Sequence, residues 1–433
     1  MRDRRPGKTA DVGTARLVRV TAVLLAVLPV LVGMSPAAAS SAPVAGCPGA
    51  QVPPPPAAVE ETAPGVVTPA PLPWPLPPIG GGALGGCGDV VAPGDPALPA
   101  EVTAAGFVLA DLDSGAVLAA RAPHSRQRPA STLKVLTAIV AIDRLDPDAQ
   151  VAGAPEDLSI DGSRAGIGPG GTYTVRQLLT GLLLNSGNDT AQALARAMGG
   201  DAATVAAMTE KARQLGALDT RPATPSGLDG PGMSTSAYDL AVLFRHAMAE
   251  PLFAQTIATR EIPFPGYGDR PGFVLSNANP LLARYPGTMG SKTGFTDAAR
   301  HTIVAAAERN GRRLVVSLVR AENAPVVNWR QAAALLDWGF ALPANAATVG
   351  TLVDSAPAPI TASAGTPGPS GTFTAPVTRG VTRPGGFVLP SDTTTITGIA
   401  AAALAVVLVA VALARARRHR ARPSASGSRH RRE

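Results

Sequence analysis

Proline and glycine decide where this chain can build a core. Of 433 residues, 43 are proline and 46 are glycine, and many crowd into two stretches. Residues 40–99 carry Pro53 to Pro56 and Gly80-Gly81-Gly82, and residues 343–392 are rich in Pro, Thr, Ser and Gly. Proline fixes φ and removes a backbone donor, so such compositions favour polyproline II, turns and linkers over packed elements. The first stretch is expected to be an extended arm and the second a tether. That leaves residues 100–342 for the folded domain.

The two ends have a different character. Arg2, Arg4, Arg5, Arg16 and Arg19 precede an apolar run from Val20 to Val32 and the small residues Ala37-Ala38-Ala39. That order describes a secretory signal peptide over residues 1–39. Residues 393–414 read as a transmembrane helix: Ile396 to Ala414 is apolar apart from Thr397 and, at ~1.5 Å per residue, spans roughly 28 Å. Arg415, Arg417, Arg418, Arg420 and Arg422 follow at once, so residues 415–433 are expected in the cytoplasm and the folded domain outside it, in a single-pass arrangement at the cell membrane. A basic tail flush against a span suits stop-transfer and lipid contact rather than nucleic-acid binding. The net charge of +7 comes largely from these ends. The only cysteines, Cys47 and Cys87, fall in the exported arm, where an oxidising compartment permits a disulfide.

Within 100–342 both strand and helix patterns occur. Gly106 to Leu112 and Ala116 to Arg121 flank Asp113-Ser114-Gly115 and predict a hairpin. Thr132 to Leu145 predicts a buried helix capped by Ser131 or a neighbour, and Val175 to Leu184, Asp189 to Met198, Ala202 to Leu215 and Thr235 to Met248 predict further helices. Strands return at 287–296, 301–307 and 313–320, with Asn310-Gly311 as a turn, before an amphipathic helix from Val327 to Phe340. Strands at both ends with helices between indicate an α+β fold, an antiparallel sheet packed against a helical cluster.

Lysine usage points to the chemistry. The chain has only Lys8, Lys134, Lys211 and Lys292 among 38 basic residues. A guanidinium stays protonated in a protein, whereas a buried ammonium can be shifted into the range of a general base. Ser131 and Lys134 share one helical face a turn apart, so a desolvated lysine could take the serine's proton. Lys134 also lies on a helix apolar nearly all round, where a lysine needs a partner or a function. Ser186-Gly187-Asn188 forms a tight connection between helices, with Ser186 suited to proton relay and Asn188 to bonding a substrate amide. Lys292-Thr293-Gly294 lies in a strand, where Lys292 and Thr293 could read a carboxylate; the backbone N–H of Phe295 could join that of Ser131 as an oxyanion hole. No metal or cofactor motif is present, and Gly-x-Ser-x-Gly is absent.

These motifs, with Arg128 to Lys134, Leu182 to Thr190, Ser234 to Leu240, Gly290 to Thr296 and Leu335 to Phe340, resemble segments of the serine-type D-alanyl-D-alanine carboxypeptidases, the low-molecular-mass penicillin-binding proteins. The resemblance implies the α+β fold shared with serine β-lactamases. It also implies acylation of Ser131 by a peptidoglycan stem peptide, release of terminal D-Ala, and covalent inhibition by β-lactams. The middle motif departs from the Ser-Asp-Asn of class A β-lactamases. Ser226 stands where relatives often carry His.

Overall fold

The computed structural model describes residues 51–55 and 69–357. The signal peptide, Cys47, residues 358–392 of the expected tether, the transmembrane segment and the basic tail lie outside the described residues. Among the described residues no helix is long and apolar enough to cross a membrane.

The strands are β1 (Asp89–Val91), β2 (Gly106–Asp111), β3 (Ala116–Arg121), β4 (Gln150–Ala152), β5 (Thr172–Thr174), β6 (Glu261–Phe264), β7 (Phe273–Ser276), β8 (Thr288–Thr296), β9 (Arg300–Arg309), β10 (Arg312–Ala321) and β11 (Gly350–Thr351). The α-helices are α1 (Lys134–Arg144), α2 (Pro155–Ser159), α3 (Val175–Leu184), α4 (Asn188–Ala197), α5 (Asp201–Gln214), α6 (Ala237–Ala249), α7 (Pro251–Ala258), α8 (Pro280–Arg284) and α9 (Asn328–Ala341). A seven-stranded antiparallel sheet runs β1-β3-β2-β10-β9-β8, with β11 added on β3. Its first and last strands in sequence close one edge, and β8 forms the other.

Period-two alternation divides the sheet's side chains between two cores. Val108, Ala110, Val304, Ala306, Val315 and Val319 face the helical cluster of α1, α3, α4 and α6. Phe107, Leu109, Ile303, Ala305, Leu314, Val316 and Leu318 face α9. The α+β expectation is met, with α9 adding a layer on the far face. The Asn310-Gly311 turn has both residues at positive φ, 52° and 76°, as a two-residue hairpin whose twist matches its strands requires. Thr174 caps α3 by accepting the Gln177 N–H, and Gln177 returns a bond to the Thr174 N–H.

The boundaries drawn from composition need correction. Ile79, Leu84 and Ala92 are buried, and β1 pairs with β3 in the register Val90↔Ala120. At the other end Leu352 is buried and Gly350 pairs with Val117. Both additions are short proline-free windows, Ile79 to Val91 and Val349 to Val353, inside stretches that are proline-rich only on average. The folded unit thus begins before residue 100 and continues past 342. Cys87 is disulfide-bonded.

Candidate active site

Sequence predicts one helix from Thr132, capped by Ser131 or a neighbour. The structure instead places Ser131 inside a 3-10 turn, Ala130–Leu133, and α1 begins at Lys134. Ala130 has φ 47°, a left-handed conformation that costs a residue with a Cβ of order 1 kcal/mol or more. Neighbours hold it there. Thr132 Oγ1 and Thr302 Oγ1 both donate to the Pro129 carbonyl, at 2.6 and 2.9 Å. Two glycines let flanking elements close in on the turn. A Cβ at position 294 on β8 would lie 2.6 Å from the Ser131 nitrogen, and one at position 227 would lie 2.1 Å from the Ala130 carbonyl oxygen. Only a residue without a Cβ fits either place.

Lys134 is wholly buried, and its Nζ lies 3.0 Å from Ser131 Oγ, 2.6 Å from Asn188 Oδ1 and 2.5 Å from the Ser226 carbonyl oxygen. Burial pushes the amine well below the ordinary lysine range, and the nearby charge of Lys292 pushes it further, against the opposing charge of Asp189. A neutral amine has two N–H donors and one lone pair. The Asn188 and Ser226 oxygens can only accept, so they take both donors. The lone pair is left facing the Ser131 hydroxyl, an arrangement able to remove its proton.

The remaining predicted residues are positioned as follows. Lys292 is buried, donates to the Thr293 carbonyl at 2.8 Å, and is pushed down to about 7 by burial. Thr293 is half-buried beside it, and Gly294 abuts Ser131. The Phe295 ring is exposed and lies against His301, with ring centroids 4.6 Å apart, so any part it plays at Ser131 falls to its backbone. Ser186 is half-buried with φ 57°, directly before the Gly187 that opens α4. Asn188 is drawn into contacts within the protein. Its Oδ1 accepts from Lys134, and its Nδ2 donates to the Asp161 carbonyl at 2.5 Å, so both ends of its amide are engaged within the protein.

Several partners escape a reading of the motifs. Ser226 contributes its backbone oxygen, so the histidine-to-serine departure leaves the contact with Lys134 untouched. Thr137 Oγ1 donates to the Pro225 carbonyl at 2.6 Å and holds that loop. Away from the site, His124 Nδ1 lies 2.8 Å from Asp219, and its Nε2 faces the Ile79 carbonyl at 3.0 Å rather than a nucleophile. Arg126 donates to the same Asp219 at 3.0 Å. Ligand atoms of His124, Asp219 and Asp239 lie within 4.8 Å of one another, and the Arg126 guanidinium is the cation held there.

Comparison with known proteins agrees with this geometry. A family model described as D-alanyl-D-alanine carboxypeptidase matches residues 92–323. The D-alanyl-D-alanine carboxypeptidase DacB2 of Mycobacterium tuberculosis is 50% identical over 251 residues, covering 57% of this chain and 85% of that protein. DacF of Bacillus subtilis is 30% identical over 239 residues, covering 54% of this chain and 61% of that protein. Among solved structures, a D-alanyl-D-alanine carboxypeptidase from Mycobacterium tuberculosis matches with TM-score 0.58 and 47% identity, covering 61% of this chain and all of that one. A DD-transpeptidase from Streptomyces matches with TM-score 0.53 and 27% identity, covering 57% of this chain and 99% of that one. With the family model spanning strands β2 to β10, the 3-10 turn and the buried lysines, and with 50% identity to a relative matched over most of its length, the chain belongs to the D-alanyl-D-alanine carboxypeptidase family.

Proposed function

We propose that this serine-type D-Ala-D-Ala carboxypeptidase of peptidoglycan works through an acyl-enzyme on Ser131, with Lys134 as its base. Ser131 Oγ attacks the carbonyl carbon of the penultimate D-Ala while its proton passes to Lys134 Nζ. The Ser131 and Phe295 N–H groups face the oxyanion of the tetrahedral intermediate. The C–N bond then breaks, the departing D-Ala amine takes a proton relayed through Ser186, and water hydrolyses the remaining ester. Lys292 and Thr293 receive the substrate's terminal carboxylate. β-Lactams, which carry a carboxylate and a reactive amide, acylate the same serine.

The observation that carries this reading is the Lys134 amine, with two pure acceptors on its N–H groups and Ser131 Oγ at 3.0 Å. The test is release of free D-Ala from diacetyl-Lys-D-Ala-D-Ala, wild type beside Ser131→Ala. Release that vanishes in the variant is expected; undiminished release from Ser131→Ala overturns the assignment. A transpeptidase reading rests on the likeness to the Streptomyces enzyme. An amine acceptor such as glycylglycine, added to the same assay, separates the two through its transfer product.

In the cell, the proposal puts the catalytic domain outside the membrane in wall maturation. It would be held there by residues 393–414 with the arginine-rich tail on the cytoplasmic side, as the charge asymmetry supports. Protease added to intact cells should remove the domain and spare the tail; the reverse pattern would refute this topology.

A further inference from the structure

Asn188 holds Lys134, and a second set of bonds holds Asn188. Its backbone N–H donates to the Ser163 carbonyl at 2.7 Å and its Nδ2 to the Asp161 carbonyl at 2.5 Å. Both carbonyls belong to an irregular segment between α2 and β5, rich in glycine. What fixes that segment is the next residue, Asp189. Its Oδ1 accepts the N–H groups of Ala165 and Thr190, each at 2.8 Å; its Oδ2 accepts those of Gly166 at 2.7 Å and Ile167 at 3.1 Å. The carboxylate is fully buried and ties three successive loop amides to the start of α4.

We propose that Asp189 is a positioning residue for the acylation step. It clamps the 161–167 loop so that Asp161 and Ser163 fix Asn188, and Asn188 in turn aims the Lys134 lone pair at Ser131. The loop thereby sets the rate of serine attack rather than substrate affinity. This rests on the reading that Lys134 is the base. An amide cannot replace the carboxylate here, because Asp189→Asn turns one acceptor into a donor facing backbone N–H groups.

The test is stopped-flow acylation of the folded protein by a chromogenic β-lactam, resolving the non-covalent dissociation constant from the first-order acylation constant. Asp189→Asn should lower the acylation constant roughly ten-fold or more with the dissociation constant unchanged. A second variant reaches the same relay without touching Asp189. At Gly162 φ is 83° and a Cβ would lie 2.8 Å from Asn188 Nδ2, so Gly162→Ala should produce the same split. Wild-type acylation constants in either variant, with melting confirming a folded protein, overturn the proposal. Should Asp189→Asn not fold, Gly162→Ala decides alone. If the wild type is not acylated, or Ser131→Ala is labelled as well, the Ser131 acyl-enzyme reading beneath this proposal fails, and that result is distinct from any behaviour of these two variants.

Discussion

Two buried lysines with different protonation demands lie close enough for the charge of one to act on the other. In the proposed mechanism Lys134 must be neutral to accept a proton, and Lys292 must be charged to hold a carboxylate. Burial lowers both, and the Lys292 charge lowers Lys134 further. Lys134→Arg should reduce acylation by a labelled penicillin about 10²- to 10⁴-fold, since a guanidinium keeps its proton. Near-normal labelling would remove Lys134 as base. With Lys292 pushed down to about 7 in the free enzyme, its charged form predominates below that pH and fades above it. kcat/KM for a peptide ending in a carboxylate should therefore fall as pH rises through about 7, and this limb should move upward in Lys292→Arg. A limb left in place would assign it to another group. Lys134 and Lys292 stood out because lysine is scarce in this arginine-rich chain, and Ser131 through its spacing from Lys134. The Ser226 carbonyl and the Asp161 carbonyl did not, because every residue carries one.

The 3-10 turn, β8 and the loop around Gly227 meet at the Ser131 backbone, and the approach is limited by atoms that glycine lacks. A Cβ on residue 294 must displace either β8 or the turn by about 1 Å. Gly294→Ala should cost roughly 10²-fold in acylation while the melting temperature changes little, since the strand remains paired with β9. Unchanged acylation would mean that the turn has slack. The larger elements were readable from their patterns, as with α3 and the β9–β10 hairpin. The β6–β7 hairpin and α7 were hidden. Pro251, Pro263, Pro265 and Pro271 make that region read as connection, although Pro251 opens α7, where its missing N–H has no partner to lose.

The arm and the end of the chain's described part are stitched to the domain a few residues from the nucleophile. Arg126 donates to Asp219 and to the carbonyls of Gln51, Leu72 and Pro73, with Trp74 over its guanidinium. Tyr238, beside His124, accepts from the Val353 N–H and donates to the Thr351 carbonyl. Arg126→Ala would leave the buried Asp219 with His124 as its remaining side-chain partner beside Asp239, and should lower stability by about 3–5 kcal/mol in urea titration. A loss under 1 kcal/mol would mean that the network relaxes without it. A fragment of residues 100–342 forfeits Leu84 and Leu352, each worth about 2 kcal/mol buried. It should melt roughly 10 °C below a fragment of residues 69–357. Equal melting points would show the added strands to be ornamental to the core.

From residue types and spacing alone come the class of fold and the three motifs, because periodicity and scarce chemistry are local properties of a chain. Folding added what depends on distant segments meeting. Proline-free windows at both ends joined one sheet edge, because strand pairing is judged residue by residue and not by average composition. A loop carbonyl, that of Ser226, meets Lys134, because backbone acceptors carry no signature in the sequence. Asn188 meets both the base and its own loop, because α4, α1 and the 161–167 segment converge on it only in three dimensions.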